Sequence, residues 1–304
     1  MPKPLSRWLC AGRAIPLQKK GGGIRPLVVG ETLRAVVSKY VLLRCGGCAR
    51  EVLPAIQLGY TPGENGMQAG IFAARSWARS LDNKVLVKVD IRNAYNTISR
   101  HACCEVADVI DDDLATWARW CLASPSLVTC KGESLACTTG VQQGEPLSPL
   151  LFCAGISPLI QIVADYFPQV EQLWYLDDGL LYGDAAHVSA CLVLIQKRLQ
   201  LLNMELNLQK CELYTNMEAD RLGDLQRVPR VLDTTEWSYL GAPLGQGRHS
   251  KAGQSALERA KTVTAAICQF GEKFPLQALC LIRYTVGACR IQHLCQAQPV
   301  EELW

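Results

Sequence analysis

Three aspartates have the type and the surroundings that could do chemistry. Asp90 follows a valine-rich segment at residues 84–89, and Asp177 and Asp178 are adjacent within an apolar run. Placing neighbouring carboxylates beside a core costs several kcal/mol unless cations compensate the charge. Their hard oxygen atoms suit Mg²⁺, which takes one or two carboxylates from a protein and its other ligands from water and phosphates. If folding brings Asp90 to the pair, two ions roughly 3.5–4 Å apart could bind there and stabilise the attacking and leaving oxygens of a displacement.

The adjacent pair also fits a simpler structural role. Residues 174–176 and 180–182 are strand-like and flank Asp177-Asp178-Gly179, which predicts a hairpin with an Asp-Gly turn. From these residues alone, a metal site and a plain turn are equally supported. The segment at 84–89 predicts a buried strand that ends at Asp90.

The remaining pattern predicts an α+β fold, because helices alternate with antiparallel hairpins. Strand-like segments at 14–18 and 24–29 flank a basic glycine turn, and those at 127–130 and 135–139 flank Lys131-Gly132-Glu133. Short strand-like segments also lie at 206–208 and 211–214. Apolar periodicity predicts helices at 32–44, 67–81, 105–122, 150–166, 188–202 and beyond 256. One face of the first helix carries Leu33, Val36, Val37, Tyr40 and Leu43, whereas Arg34, Ser38 and Lys39 lie elsewhere.

Composition excludes a wholly disordered chain and a complete disulfide framework. The 304 residues are 49% hydrophobic and 19% charged, which allows a sizeable core. The fifteen cysteines are odd in number and follow no secretory signal, which predicts a reducing intracellular setting, the nucleus or the cytoplasm. Residues 147–167 have the length of a membrane span, but Pro149, Pro158 and Asp165 interrupt them. A buried helix and no membrane partner are therefore predicted.

Charge is distributed unevenly along the chain. Ten of the 31 Lys and Arg residues, but one of the 28 acids, lie in residues 1–50. A basic leading part therefore precedes an acidic body, although the net charge is only +3. Such an asymmetry requires a functional explanation.

Six sequence blocks follow one another along the chain, at residues 24–27, 88–95, 140–150, 175–178, 206–211 and 239–245. Together they resemble the blocks of reverse transcriptases of the non-LTR-retrotransposon (LINE-like) type. Each block alone is weak support, but six in one order are strong support. The resemblance runs from about residue 14 to the end of the chain.

The resemblance implies an α+β, right-hand polymerase fold. Fingers would span residues 1–80, a palm with an antiparallel sheet and the catalytic carboxylates 81–245, and a partial helical thumb 246–304. The implied activity is that of an RNA-directed DNA polymerase, which adds dNTPs to a primer 3′-hydroxyl by two-metal phosphoryl transfer. It would use two Mg²⁺ ions, or Mn²⁺ in their place, with an RNA template and a DNA or RNA primer. The basic leading part would then meet phosphates and nucleic acid.

The resemblance also assigns roles to matched residues. Asp90, Asp177 and Asp178 would bind the metal ions, with the carbonyl of Ile91 as a further ligand, and Lys210 would protonate or neutralise the leaving pyrophosphate. Arg25, with Lys19 or Lys20, would clamp the triphosphate, and Gln143-Gly144 would lie under the nucleotide. Tyr95 would collide with a ribose 2′-hydroxyl and so select deoxynucleotides. The residues implied to bind substrate are Lys19, Lys20, Arg25, Tyr95, Gln143 and Gly144.

Simpler roles remain open for these residues. Arg25, Lys19 and Lys20 could belong to a solvated basic turn, and Lys210 could be an ordinary surface lysine. Residues 143–144 could form a plain helix-initiating loop, and Tyr95 could be part of the core. The sequence has no extended N-terminal region, endonuclease-like block or terminal zinc knuckle, and Glu145 stands where many relatives have aspartate. These departures keep open the alternative of a catalytically silent, truncated retroelement remnant that only binds nucleic acid. The palm aspartates, which an RNA-dependent RNA polymerase would share, keep that activity open as well. The oligomeric state stays open.

Overall fold

The computed structural model describes residues 3–18, 23–61, 65–245 and 250–283, which form an α+β structure. The helices are α1 (Lys3–Leu9), α2 (Thr32–Val52), α3 (Gly66–Arg79), α4 (Ala94–Thr97), α5 (Arg100–Ile110), α6 (Asp112–Leu122), α7 (Ser148–Tyr166), α8 (Ala185–Leu201), α9 (Lys251–Gly271) and α10 (Pro275–Leu281). The strands are β1 (Gly12–Gln18), β2 (Ile24–Gly30), β3 (Val85–Val89), β4 (Ser126–Cys130), β5 (Glu133–Cys137), β6 (Glu171–Tyr175), β7 (Asp178–Gly183), β8 (Glu212–Tyr214), β9 (Ser238–Tyr239) and β10 (Ala242–Pro243).

An antiparallel sheet with the strand order β6-β7-β3-β8 forms the centre of the fold. Alternate residues of β3 face opposite sides of this sheet, because side chains in a strand alternate. Val87 belongs to one buried apolar cluster, with α5, α7 and α8. Leu86 belongs to a second cluster, with α3 and β9. Apolar layers on both sides therefore fix the sheet in place.

Helix α7 is the central helix of the larger cluster. Its buried residues run from Ser148 to Val163. Among the described residues, α7 is the one helix that is long and apolar enough to cross a membrane. Yet 67% of its most apolar stretch is buried inside the fold. The prediction of a buried helix in this stretch is confirmed.

A second sheet, with the order β2-β1-β4-β5, contains two hairpins. β1 pairs with β2 and β4 with β5, both antiparallel, and β1 joins β4 in parallel. At the tip of the β4–β5 hairpin, Lys131 and Gly132 both have positive φ values, 49° and 87°. This is the backbone of a tight two-residue hairpin turn. The hairpin predicted around Lys131-Gly132-Glu133 is confirmed, and the strand-like segments predicted at 14–18 and 24–29 pair as β1 and β2.

The helix predicted at 105–122 is wrong, because two helices occupy residues 100–122. Asp111 separates them with an extended backbone, φ −169° and ψ 138°. Its carboxylate accepts a hydrogen bond from the backbone N–H of Leu114 at 2.9 Å and so caps the start of α6.

The apolar face that predicted α2 is not the face that packs against the rest of the protein. The helix extends to Val52, and the residues it buries are Arg34, Ser38, Val41, Cys45 and Ala49. The predicted apolar face is largely exposed, with Leu33 at 55%, Val36 at 58%, Tyr40 at 60% and Leu43 at 85%. The orientation differs because Arg34 and Ser38 form hydrogen bonds with buried side chains of the loop before α7.

A matched pair of substitutions in α2 tests this orientation. Val41 is 6% exposed and Val36 is 58% exposed. Val41→Ala should lower the free energy of unfolding by about 2 kcal/mol, because it removes two buried methyl groups. Val36→Ala should change it by less than about 0.5 kcal/mol. Urea unfolding of both variants measures the difference, and a reversed order would contradict the orientation.

Candidate active site

The β6–β7 hairpin turns at Leu176 and Asp177. Tyr175 pairs with Asp178, so Asp178 and Gly179 are already part of β7. The predicted hairpin is present, but the predicted Asp-Gly turn is wrong. The turn is formed by Leu176 and Asp177, and not by Asp178 and Gly179. Leu176 has a φ of 58°, in the left-handed region. Gly179 is needed for packing instead, because a Cβ there would come 2.6 Å from the Trp174 ring.

Asp90 reaches the same place from the neighbouring strand. The last pair between β3 and β7 is Val89 with Gly179, so the next position sets Asp90 opposite Asp178. Side chains that are opposite one another in an antiparallel pair lie on the same face. The carbonyl of Asp90 accepts a hydrogen bond from Asn207 N–H at 2.8 Å, and its N–H donates to Cys211 Sγ at 3.4 Å. Both bonds come from the segment that leads into β8, which thus holds Asp90 from the side opposite β7.

One cavity of about 610 Å³ collects the predicted site. The predicted residues that line it are Arg25, Asp90, Ile91, Tyr95, Gln143, Gly144, Asp177, Asp178 and Lys210. Lys19 and Lys20 lie outside the described residues. Segments far apart in the sequence therefore meet here, as the sequence analysis expected of the three aspartates.

The three carboxylates repel one another in this cavity. Burial, with the nearby charges of Asp178 and Asp90, raises the pKa of Asp177 to about 6. Burial also raises the pKa of Asp178, against the opposing effect of Lys88. Arg25 lowers both values. Two nearby cations therefore compensate only part of the negative charge.

This set of donors fits a divalent cation. Within the described ranges, no three His, Cys, Asp or Glu side chains already stand close enough to form a coordination shell. The three aspartates line one cavity, but their carboxylates do not surround a single point. Mg²⁺ accepts such an incomplete shell, because it keeps waters and takes further ligands from phosphates.

Tyr95 packs against a core side chain and also lines the cavity. Its ring stacks on Phe152 with 4.7 Å between ring centroids and 5° between ring planes. Its backbone carbonyl accepts a hydrogen bond from Val141 N–H at 2.7 Å. Burial raises the pKa of its phenol well above the ordinary value, so the ring is neutral. The two roles considered for Tyr95 are thus compatible.

Gly144 connects the loop before α7 to strand β2. Its φ is 106°, and a Cβ would lie 2.6 Å from the carbonyl oxygen of Val28. The carbonyl of Gln143 accepts a hydrogen bond from Val28 N–H at 2.7 Å. Glycine is therefore required for the approach of β2, which carries Arg25 to the cavity, and not only for the approach of a ligand.

A buried polar cluster behind this loop was missed by the sequence analysis. Arg34 donates a hydrogen bond to Gln142 Oε1 at 2.7 Å, and Ser38 Oγ donates to Glu145 Oε1 at 2.5 Å. Glu145 Oε2 also accepts from the backbone N–H of Leu147 at 2.8 Å. These contacts hold both ends of the Gln143–Gly144 segment. The available signal was two polar residues at positions 34 and 38, one helical turn apart.

Lys210 is exposed at the mouth of the cavity. The segment predicted as strand-like at 206–208 makes one bridge, from Leu206 to Ile91, and then a 3₁₀ turn over Leu208–Lys210. The backbone N–H of Lys210 donates to Asn207 O at 2.9 Å. Its ammonium group can therefore reach a ligand while the backbone stays fixed.

Comparison of the sequence with protein families finds one match over most of its length. The family described as reverse transcriptase (RNA-dependent DNA polymerase) matches residues 17–244. The 132 kDa protein of the retrotransposable element SLACS from Trypanosoma brucei gambiense is 26% identical over 261 residues. That alignment covers 82% of this chain and 21% of the SLACS protein. The chain therefore spans about a fifth of that relative, which belongs to a non-LTR element as the sequence blocks suggested.

Solved structures with the same fold include telomerases. Apo telomerase from Candida tropicalis superposes with a TM-score of 0.56 at 12% identity, over 79% of this chain and 48% of that chain. Telomerase from Candida albicans, solved with the TWJ fragment of telomeric RNA, gives 0.52 at 13% identity, over 72% and 44%. These telomerases have the right-hand polymerase fold, so the predicted fold class is confirmed.

Removing the charge of Asp177 should stabilise the metal-free protein. Burial and nearby charges raise the pKa of Asp177 to about 6 in the folded state, so the ionised carboxylate destabilises the fold; the penalty is complete above about pH 6 and decreases as the pH falls towards the unfolded pKa. Asp177→Asn should raise the Tm by roughly 2–5 °C at pH 7.5 and by less at pH 5. Differential scanning calorimetry at both pH values measures the two shifts. A gain that grows on acidification would contradict the mutual repulsion.

Proposed function

We propose that this chain, which belongs to the reverse transcriptase (RNA-dependent DNA polymerase) family, is itself an RNA-directed DNA polymerase that adds dNTPs to a primer 3′-hydroxyl. The observation that carries the proposal is the meeting of Asp90, Asp177 and Asp178 in one cavity with Arg25 and Lys210. Carboxylates that attract cations and basic groups that attract phosphates are the two requirements of phosphoryl transfer.

Asp90, Asp177 and Asp178 would hold two Mg²⁺ ions, or Mn²⁺, with the Ile91 carbonyl as a further ligand. When bound, such ions stabilise charge on the attacking and the leaving oxygens. The chain keeps the carboxylates on adjacent strands of a sheet buried on both sides, so their separation is set by the fold. Raised pKa values at Asp177 and Asp178 support a cation role, because a nearby cation would restore full ionisation.

Basic side chains would bind the triphosphate. The exposed guanidinium of Arg25 presents a planar fork to phosphate oxygens. Lys210 would donate a proton to the departing pyrophosphate or neutralise it. Lys19 and Lys20 are further candidates for the clamp.

Tyr95 would select deoxynucleotides. Because Phe152 supports one face of the ring, the phenol cannot retreat into the core without breaking a stacked pair. A fixed ring at the cavity wall discriminates by steric exclusion of a 2′-hydroxyl.

The proposed lobes follow the chain. Fingers over residues 1–80 would contain the basic β1–β2 hairpin and α2, and a palm over 81–245 the central sheet. A partial thumb over 246–304 would contain α9 and α10. The fingers sheet is completed by β4 and β5 from the palm segment. An RNA template and a DNA or RNA primer would bind chiefly through their phosphates, independently of sequence.

Primer extension tests the polymerase activity. The purified protein with an RNA template, a DNA primer, Mg²⁺ and dNTPs should extend the primer. Asp178→Asn should reduce the rate by on the order of 10²–10³ or more, because one preorganised charge is removed from the transition state. Asp224→Asn, an exposed acid outside the cavity, is the matched control and should keep full activity. Salt-sensitive nucleic-acid binding without incorporation would instead support the catalytically silent alternative.

Substitution of Tyr95 tests the sugar selectivity. Tyr95→Ala should lower the preference for dNTPs over rNTPs by roughly 10–100-fold, since a hydroxyl-sized space is opened. Tyr95→Phe keeps the ring and its stacking, and should keep the preference. Steady-state kcat/KM for each nucleotide measures the ratio. Wild-type protein that prefers rNTPs would contradict the assignment and favour an RNA-making polymerase.

A further inference from the structure

The turn that presents Asp177 contains an unfavourable backbone conformation. Leu176, the residue before it, has a φ of 58°. A side chain with a Cβ rarely adopts this left-handed conformation, and leucine has no polar group that could stabilise it locally. Strain of this kind persists only where surrounding contacts enforce it. The contacts that enforce it are therefore of functional interest.

The side chain of Gln57 makes those contacts. Its Oε1 atom accepts a hydrogen bond from the Leu176 N–H at 2.9 Å. Its Nε2 atom donates to the Leu176 carbonyl at 3.2 Å. One amide thus satisfies both backbone groups of the strained residue, and each amide atom has the partner that its chemistry requires. Oε1 also accepts from Gly59 N–H at 3.0 Å.

The segment around Gln57 is built to reach this turn. The backbone N–H of Leu58 donates to Trp174 O at 2.7 Å, and Trp174 N–H donates to Ile56 O at 2.9 Å. Residues 56–58 thus run beside β6. A Cβ on Gly59 would lie 2.4 Å from Leu176 N, so this position also requires glycine. Gln57 itself is 2% exposed.

We infer that Gln57 is a positioning residue, which orients the Asp177 carboxylate through its two hydrogen bonds to the backbone of Leu176. Gln57 is not among the cavity-lining residues of the described chain, so it acts through its neighbour and not on a ligand. The inference rests on the proposed role of Asp177 in cation binding. It adds to that role a residue from the segment between α2 and α3, far from the catalytic strands in sequence.

The same hairpin offers a matched control. Gln172 is 7% exposed on β6. Its Nε2 donates to Ile160 O at 3.0 Å, and its Oε1 accepts from Trp174 Nε1–H at 2.9 Å. It therefore resembles Gln57 in type, burial and hydrogen bonding, but it does not contact the turn.

The experiment compares Gln57→Leu with Gln172→Leu in the full chain. Metal-free protein is titrated with MgCl₂ and binding is followed by isothermal titration calorimetry, while urea unfolding reports the general loss of stability. Gln57→Leu should raise the half-saturating Mg²⁺ concentration about tenfold and lower kcat for primer extension by a similar factor. The Kd for primer–template should stay within twofold. Gln172→Leu should lose stability while its Mg²⁺ binding stays within twofold of wild type.

A second variant keeps the test decisive if Gln57→Leu does not fold. Gln57→Met keeps the length of the side chain and removes its hydrogen bonds to Leu176, so the Mg²⁺ midpoint should again rise about tenfold. An unchanged midpoint in the folded Gln57 variants, or an equal change in Gln172→Leu, overturns the inference. If the wild type incorporates no dNTP but Gln57→Leu still weakens Mg²⁺ binding selectively, the polymerase proposal fails and the positioning role stands.

Discussion

Electrostatic repulsion among three aspartates is the constraint on which the rest of this structure depends. A chain would not gather Asp90, Asp177 and Asp178 in one cavity unless other interactions overcame the cost, because burial and the nearby charges of Asp178 and Asp90 together raise the pKa of Asp177 to about 6. The register of β3 on β7 sets Asp90 opposite Asp178. Apolar clusters on both faces of the sheet prevent the strands from sliding apart. The hydrophobic core thus maintains an unfavourable charge distribution that the proposed chemistry requires.

Apolar packing fixes where the strands lie, but polar contacts fix the loops between them. Arg34 holds Gln142 at one end of the loop before α7, and Ser38 holds Glu145 at the other. Gln57 holds the turn before Asp177. The side chains of Arg34, Ser38 and Gln57 are buried, and an unmade hydrogen bond there costs more than it does in water, so alternative loop geometries are penalised. This explains why α2 turns polar residues inward and leaves Leu43 exposed.

The parts of the fold that could be predicted from sequence are those encoded locally. Both hairpins, the strand before Asp90 and the buried α7 follow from short patterns, and the six blocks indicated the family and most of the cavity. The errors have physical causes. The helix break at Asp111 depends on one capping hydrogen bond, and the turn at Leu176 depends on a pairing register that no dipeptide pattern sets. Gln57 was missed because its partner is 119 residues away.

The negative charge of the cavity explains why the protein supplies only some of the ligands that a divalent cation needs. Lys88, whose charge lowers the pKa of Asp178, is already paired with Glu212 at 3.0 Å, so its charge is shared. Arg25 is exposed on a strand that reaches the cavity through its contact with Gly144. If Arg25 binds a phosphate, as proposed, its compensation of the aspartates weakens at the moment the substrate arrives. The aspartates then need a divalent cation more, and the phosphate supplies the ligands that such a cation lacks. Binding of metal and of triphosphate should therefore favour one another. The cation compensates the aspartates once Arg25 is engaged by phosphate, and the triphosphate supplies the cation's missing ligands.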